Sequence, residues 1–202
     1  MKKLLLTSTL IFISLVSVCA QEIAAPVKQG SLWGFMDGTG NLFIQPNYDA
    51  VQGFSEGLAA VRVKGKWGYI DLKGNFVVQP TLEGAEPFSQ GMARARTGEL
   101  WGYIDRTGKF VIPAAFGGAG NFSEGLARIK TGKDWGYIDK TGKIVIQPAY
   151  EAAKNFNEGL AMVKKNGKWG FIDKTGKIVA ATVYDGAKDF RKANSVSAED
   201  ND

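Results

Sequence analysis

The sequence has no histidine and a single cysteine, Cys19. Without histidine there can be no Ser–His or Cys–His catalytic pair and no ordinary zinc site. Cys19 falls in a segment that reads as a leader, so the rest of the chain has no disulfide, thiol nucleophile or cysteine metal ligand. Proline is scarce, at 6 residues, against 26 glycines. The one long apolar run, residues 4–18, has 15 residues, short of the roughly 20 that a membrane-spanning helix needs. No later stretch could span a membrane as a helix, so no transmembrane segment is expected in the mature chain. Charge of one sign is also lacking. Setting aside Lys2 and Lys3 of the leader leaves 23 basic against 20 acidic residues, so the sequence pI near 9.2 overstates a mildly cationic surface.

The leader itself is legible. Met1-Lys2-Lys3 is a basic start, the apolar run follows, and Val18-Cys19-Ala20 places small residues before Gln21. This pattern predicts export with cleavage between Ala20 and Gln21. The alternative is an outer-membrane lipoprotein acylated on Cys19. Val16-Ser17-Val18 resembles a lipobox, although Val18 is bulky where such a box has a small residue. Periplasm, cell surface and extracellular space all remain open as the destination.

The rest of the chain is a repeat. Trp-Gly pairs stand at Trp33-Gly34, Trp67-Gly68, Trp101-Gly102, Trp135-Gly136 and Trp169-Gly170, each 34 residues from the next, and there is no other tryptophan. A fixed period of this length marks a repeat architecture. The copy around Trp169 is the clearest. Leu160–Lys164 alternates, Lys165-Asn166-Gly167-Lys168 is a turn, and Trp169–Asp173 is a second run. Asp173-Lys174-Thr175-Gly176 is a second turn before Lys177-Ile178-Val179. Apolar runs of strand length separated by Asn-Gly and Asp-x-Thr-Gly turns signal β-hairpins. Asp37, Asp71, Asp105, Asp139 and Asp173 open the second turn of each copy, where a carboxylate can cap backbone N–H groups. Each copy is therefore expected to be a three-stranded antiparallel meander, ending where Gln-Pro occurs at Pro46, Pro80 and Pro148. Ala24–Lys28 supplies the first strand of unit one, with Pro26 on an exposed edge that resists strand addition. A short helical turn is possible in residues 150–156.

A 34-residue period also suits a helical hairpin repeat. Recurrent glycine and proline exclude that, at about 1 kcal/mol or more each inside a helix, and the apolar period is two rather than 3.6. The expected fold is all-β: five tandem units stacked as an open curved array, with a closed five-bladed propeller as the alternative. The division is residues 1–20 signal peptide, 21–190 repeat domain and 191–202 a polar tail expected to be disordered.

The recurrent Lys-Trp-Gly-Tyr-Ile-Asp, Thr-Gly, Pro, Tyr, Phe and Glu-Gly-Leu-Ala elements resemble the bacterial WG, or KWG, repeat family over residues 24 to 190. The resemblance implies an exported or surface repeat protein acting as an interaction module. It implies no reaction and no catalytic residue.

The residues themselves point the same way. The tryptophan column is expected to fill the seam between consecutive units; stacking of sugars is its alternative role. One Asp per repeat does not supply the six or more converging oxygens of a Ca²⁺ site. The acidic columns Asp49, Glu83, Glu151, Asp185 and Glu56, Glu124, Glu158 are near-copies, without the distinguished carboxylate pair of a glycosidase. Gly117-Gly118-Ala119-Gly120 lacks the helix and lysine of a phosphate loop. Lys64, Lys66, Lys140, Lys143, Lys164, Lys165, Lys168, Lys174 and Lys177 crowd the turns and could align as a basic stripe.

No catalytic residue, metal or cofactor is expected. The expected function is a non-enzymatic, exported binding module in the cell envelope or outside the cell, with an unknown protein or an envelope glycan as partner and no nucleic acid. A structural envelope protein without a small ligand is the alternative, and a carbohydrate-binding or carbohydrate-active protein using the Trp column a distant one.

Overall fold

The structure is a computed structural model and describes residues 23–189. The leader, Cys19, the Ala20–Gln21 junction and the tail 191–202 lie outside the described residues. Five antiparallel sheets follow one another, one per repeat. Unit one holds β1 (Ala24–Gln29), β2 (Leu32–Asp37) and β3 (Leu42–Tyr48). Unit two holds β4 (Ala50–Val51), β5 (Leu58–Val63), β6 (Lys66–Asp71) and β7 (Phe76–Leu82). Unit three holds β8 (Gly84–Ala85), β9 (Ala93–Thr97), β10 (Leu100–Ile104) and β11 (Phe110–Phe116). Unit four holds β12 (Gly118–Ala119), β13 (Leu126–Thr131), β14 (Asp134–Asp139) and β15 (Ile144–Tyr150). Unit five holds β16 (Ala152–Ala153), β17 (Leu160–Lys165), β18 (Lys168–Asp173) and β19 (Ile178–Tyr184).

The three-stranded meander is present in every unit, and four units carry more. A two-residue strand from the preceding connector joins the edge of the meander: Ala50 pairs with Arg62 and Val51 with Val61, and likewise in units three to five. The segment expected to allow a helical turn therefore holds β16 instead. Its alanines fit beside a neighbouring strand, and its backbone bonds go to β17.

The third strand does not stop at proline. It runs through Pro46, Pro80, Pro113 and Pro148 with a bulge. In unit three Trp101 faces Phe116 while Tyr103 faces Ile112, so β11 spends two extra residues opposite Gly102. The bulge frees the proline nitrogen from the ladder, which is where a strand tolerates proline. Unit five keeps the same bulge with Thr182 where units one, two and four have proline.

The core lies in the seams between units. In the third seam Tyr103 and Ile112 of unit three meet Ala119, Phe122, Ala127, Ile129 and Ile138 of unit four. The equivalent clusters are centred on Phe35, Tyr69 and Tyr137. Tyr69, Tyr103 and Tyr137 are fully buried, and each hydroxyl donates to a main-chain carbonyl of the next unit, Glu86, Gly120 and Lys154. Burial pushes all three phenols well above their ordinary range.

A second series of ties repeats beside the seams. Ser55, Ser89 and Ser123 donate to the carbonyls of Phe88, Phe122 and Phe156. The carboxylates of Glu56 and Glu124 and the amide oxygen of Gln90 accept from Gly91, Gly159 and Gly125 N–H. Lys174 closes on Glu124 at 2.9 Å and, with burial opposing it, holds that carboxyl below its ordinary value.

The array is open. In units two to five the face turned toward the preceding unit is shut, with Ala59, Val61 and Ile70 and their counterparts 0–1% exposed. In unit one the same positions, Ala25, Val27 and Met36, are exposed or half-exposed. At the far end Tyr184 is 48% exposed where Tyr48 is 8%.

Candidate functional site

Each meander has two turns at opposite ends, and they differ in kind. The second turn is nearly invariant. In unit one Asp37 Oδ1 accepts from Thr39 N–H at 2.9 Å, Thr39 Oγ1 at 2.6 Å and Asn41 N–H at 3.0 Å. Asp105, Asp139 and Asp173 repeat this arrangement with Thr107, Thr141 and Thr175. In unit two Lys73 stands in place of the threonine, and Asn75 supplies the side-chain bond to Asp71. The Asp column is thus committed to its own turns.

These bonds hold all five carboxyls below the usual aspartate value. The threonine hydroxyl is the largest cause in four of them. At Asp71 burial acts upward and is outweighed by the bonds from Asn75 and Lys73. A depressed folded pKa contributes stability above the unfolded value of about 3.9, lost as pH falls through the folded pKa. With no histidine, no side chain at its ordinary pKa titrates between about pH 5 and 8. The melting temperature should therefore be flat over that range and fall below about pH 4. A melting series against pH checks this; an inflection near neutral pH would contradict it.

The first turn is variable. It reads Gly30-Ser31, Lys64-Gly65, Gly98-Glu99, Gly132-Lys133 and Asn166-Gly167. Lys64-Gly65 and Asn166-Gly167 have positive φ at both positions, the requirement of a type I′ turn. The other three have it only at the glycine, as a type II′ turn does.

The tryptophans sit near this variable end, four residues along β2 and its counterparts from the Asp column. At about 3.3 Å per residue that is about 13 Å, so the two columns mark opposite edges of the array. None of the five indoles is buried; all are half-exposed. Their seam-filling role needs correction. Trp67, Trp101 and Trp135 pack only against the margin of a seam cluster, while tyrosine and phenylalanine fill its centre. The reason is position: the tyrosine two residues further along the strand sits nearer the middle of the sheet, and the indole is left beside the turn.

Across each hairpin a cation faces the indole: Lys28 opposite Trp33, Arg62 opposite Trp67, Arg96 opposite Trp101, Lys130 opposite Trp135 and Lys164 opposite Trp169. Lys28, Arg96 and Lys164 lie 5.7, 5.7 and 5.8 Å from the ring centroids, within cation–π reach. Units three and four add a second cation from a non-repeating position. Arg94 lies 5.3 Å from Trp101, and Arg128 lies 5.0 Å from Trp135, where units two and five have Ala60 and Met162. These two arginines also tie units together, donating at 2.6 Å to the carbonyls of Ala119 and Ala153. Burial lowers the Arg128 pKa. Gly84 and Gly118 leave room beneath the rings, since a Cβ there would come within 3.1 and 3.0 Å of the indole tips.

Acidic residues of the connectors complete this edge. Asp49 and Glu151 accept from the turn N–H of Gly65 and Gly167. Glu83 pairs with Lys66 at 2.7 Å, and Asp185 pairs with Lys168. Unit three has Leu100 and Gly117 in these places, and unit four has Asp134 and Glu151. There an open cavity of about 350 Å³ is lined by Lys133, Asp134, Ala149, Glu151, Lys165 and Asn166. Lys165 was legible as part of a basic stripe. Lys28, Arg62, Arg96 and Lys130 were readable only as a cation five residues before each tryptophan, and Arg94 and Arg128 only as departures from the repeat.

The edge therefore offers half-exposed aromatic surfaces under positive charge. Such surfaces suit recognition of acidic or flat groups. Among the described residues no group of three or more histidines, cysteines or carboxylates could hold a metal ion. Among the same residues no helix is long and apolar enough to cross a membrane.

The model of the WG-containing repeat matches five stretches: residues 33–67, 67–101, 101–133, 135–169 and 169–194. The chain belongs to the WG-containing repeat family. The second, third and fifth stretches each begin at the tryptophan that closes the one before, and the fourth begins at Trp135 after a gap. No curated protein matches the chain. Among solved structures it is similar to Kluyveromyces lactis Hsv2p, at 11% identity over 77% of this chain and 58% of that one, with a TM-score of 0.51. It is also similar to a eukaryotic initiation factor, at 10% identity over 81% of this chain and 52% of that one, with a TM-score of 0.54. The WG-repeat chain thus spans little more than half the length of either, and the likeness is one of fold alone.

Proposed function

We propose that this WG-repeat protein is an exported, non-enzymatic binding module. Its recognition surface is the edge that carries the variable first turns, the indoles and their cations. The observation that supports this most directly is the cation opposite every tryptophan, five times in register, on an edge whose turns vary while the opposite edge stays constant. Constant turns serve the fold; variable ones on a rigid scaffold are where binding residues collect. The ligand is an acidic group on an envelope protein or glycan. Export rests on the leader pattern, and it makes nucleic acid an unsuitable partner.

The test uses polygalacturonate as an acidic glycan probe, together with an envelope fraction. The triple variant Arg62→Ala, Lys130→Ala, Lys164→Ala should keep its melting temperature. It should lose about tenfold or more in affinity, at roughly 0.5 kcal/mol per exposed charge. Raising the salt should weaken the wild-type protein toward the variant. If the wild-type protein retains nothing from either source that the variant does not also retain, the proposal fails. The uniformity of the five units then favours the second reading, a structural envelope protein.

A further inference from the structure

Among the described residues, unit one has three strands where the other four units have four, and nothing stands beside β1 where β4, β8, β12 and β16 stand beside their meanders. At the other end, Gly186-Ala187 occupies the place of those two-residue strands in the repeat, 34 residues after Ala152-Ala153. It pairs with no strand among the described residues. Ala187 is half-exposed, whereas Ala85, Ala119 and Ala153 are 2–4% exposed. The apolar faces behind these elements are open too: Ala25, Val27 and Met36 at the first end, Ala180 and Tyr184 at the last.

We propose that the occupant of each end is a second copy of this chain, docked head to tail. Gly186-Ala187 of one copy adds to β1 of the next as its fourth strand. Ala187 then meets Val27 of the other copy as Ala119 meets Ile129, and the open apolar faces close as the four internal seams do.

The hydrogen bonds agree with this docking. In every internal case two connector N–H groups donate to the meander strand: Asp49 to Arg62 and Gln52 to Ala60, and Gly117 to Lys130 and Gly120 to Arg128. By the same register Asp185 and Lys188 would donate to the carbonyls of Lys28 and Pro26. Proline lacks an N–H but keeps its carbonyl, so Pro26 repels an ordinary added strand and accepts this one. The tail sequence Arg191–Asp202 is too polar to cover either face, with Val196 as its one large apolar residue.

A heterologous contact of this kind builds chains or rings. Sedimentation velocity of the chain, in full and without residues 1–20, should show a mass that rises with concentration beyond a dimer. Val27→Asp blocks the first end and Ala187→Asp the last. Both positions are half-buried at the ends of the single copy, outside its internal seams, so each variant should stay folded and monomeric. Mixed in equal amounts, they should form a dimer and nothing larger, because each supplies the end the other lacks. A wild-type protein that stays monomeric to its solubility limit, through closure on itself or through its tail, overturns the proposal. So does a dimer abolished by one variant and untouched by the other, which would mean a symmetric contact.

Discussion

Gly102→Ala is expected to destabilise the protein by about 3–5 kcal/mol, at the severe end for a single methyl group. A Cβ at Gly102 would lie 2.6 Å from the Ile112 carbonyl oxygen and 2.6 Å from Ala114 N. Those neighbours are backbone and cannot rotate away. The same contact recurs in every unit, with the Cβ 2.4–2.7 Å from a carbonyl of the third strand at Gly34, Gly68, Gly136 and Gly170. The cause is the bulge. Two extra residues of β11 fold over the centre of β10, and only a residue without a side chain lets them lie there. The glycine of each Trp-Gly pair is thus required by the strand beside it, and it does not serve the tryptophan. Gly98→Ala, at a turn where a Cβ would meet nothing within 4 Å but φ is +57°, should cost about 1 kcal/mol. Thermal or urea unfolding of the two variants checks the ranking; equal losses would show that the bulge relaxes.

Much of this fold was legible in the sequence, for physical reasons that can be named. Period-two alternation, Asp-x-Thr-Gly turns and the 34-residue spacing each reflect local chemistry that needs no partner. What was not legible depends on partners. Pro80 reads as the end of a strand because proline removes a ladder donor. Only the register of β7 against β6 reveals a bulge in which that donor is not needed. Ala50-Val51 is too short to show any alternation, and becomes a strand because β5 lies beside it. The candidate edge was legible in part. Trp67 announces itself by its spacing, while Arg62 looks like an ordinary outward residue until the hairpin pairs it with Trp67.

Tyr103→Ala should cost more than Trp101→Ala, which reverses the order that side-chain size suggests. Tyr103 is fully buried, and Trp101 is half-exposed at the margin of the same cluster. Removing a buried aromatic ring costs about 3–5 kcal/mol in transfer and cavity terms. Here the loss also leaves the Gly120 carbonyl without its 2.8 Å donor, worth about 1 kcal/mol more, and strips Phe122 of a ring partner at 4.8 Å. Truncating Trp101 removes surface that is already partly in water, together with two guanidinium contacts, for about 2 kcal/mol. The isolated hydroxyl can be weighed as well. Phe35 fills the first seam fully buried without one, so the ring closes the seam and the hydroxyl adds to it. Tyr103→Phe should therefore lose only about 1–2 kcal/mol.

The site also predicts a change in the shape of unfolding. Units in a linear array are coupled only through nearest-neighbour seams. Tyr103 sits in the third seam, with units one to three on one side and units four and five on the other. Weakening that seam should broaden or split the unfolding transition of the Tyr103→Ala protein. The Trp101→Ala transition should shift and stay sharp. Denaturant unfolding followed by circular dichroism, and by tryptophan fluorescence from both halves, separates the two outcomes. A Trp101→Ala loss equal to or larger than that of Tyr103→Ala would restore the indoles as the elements that join the units.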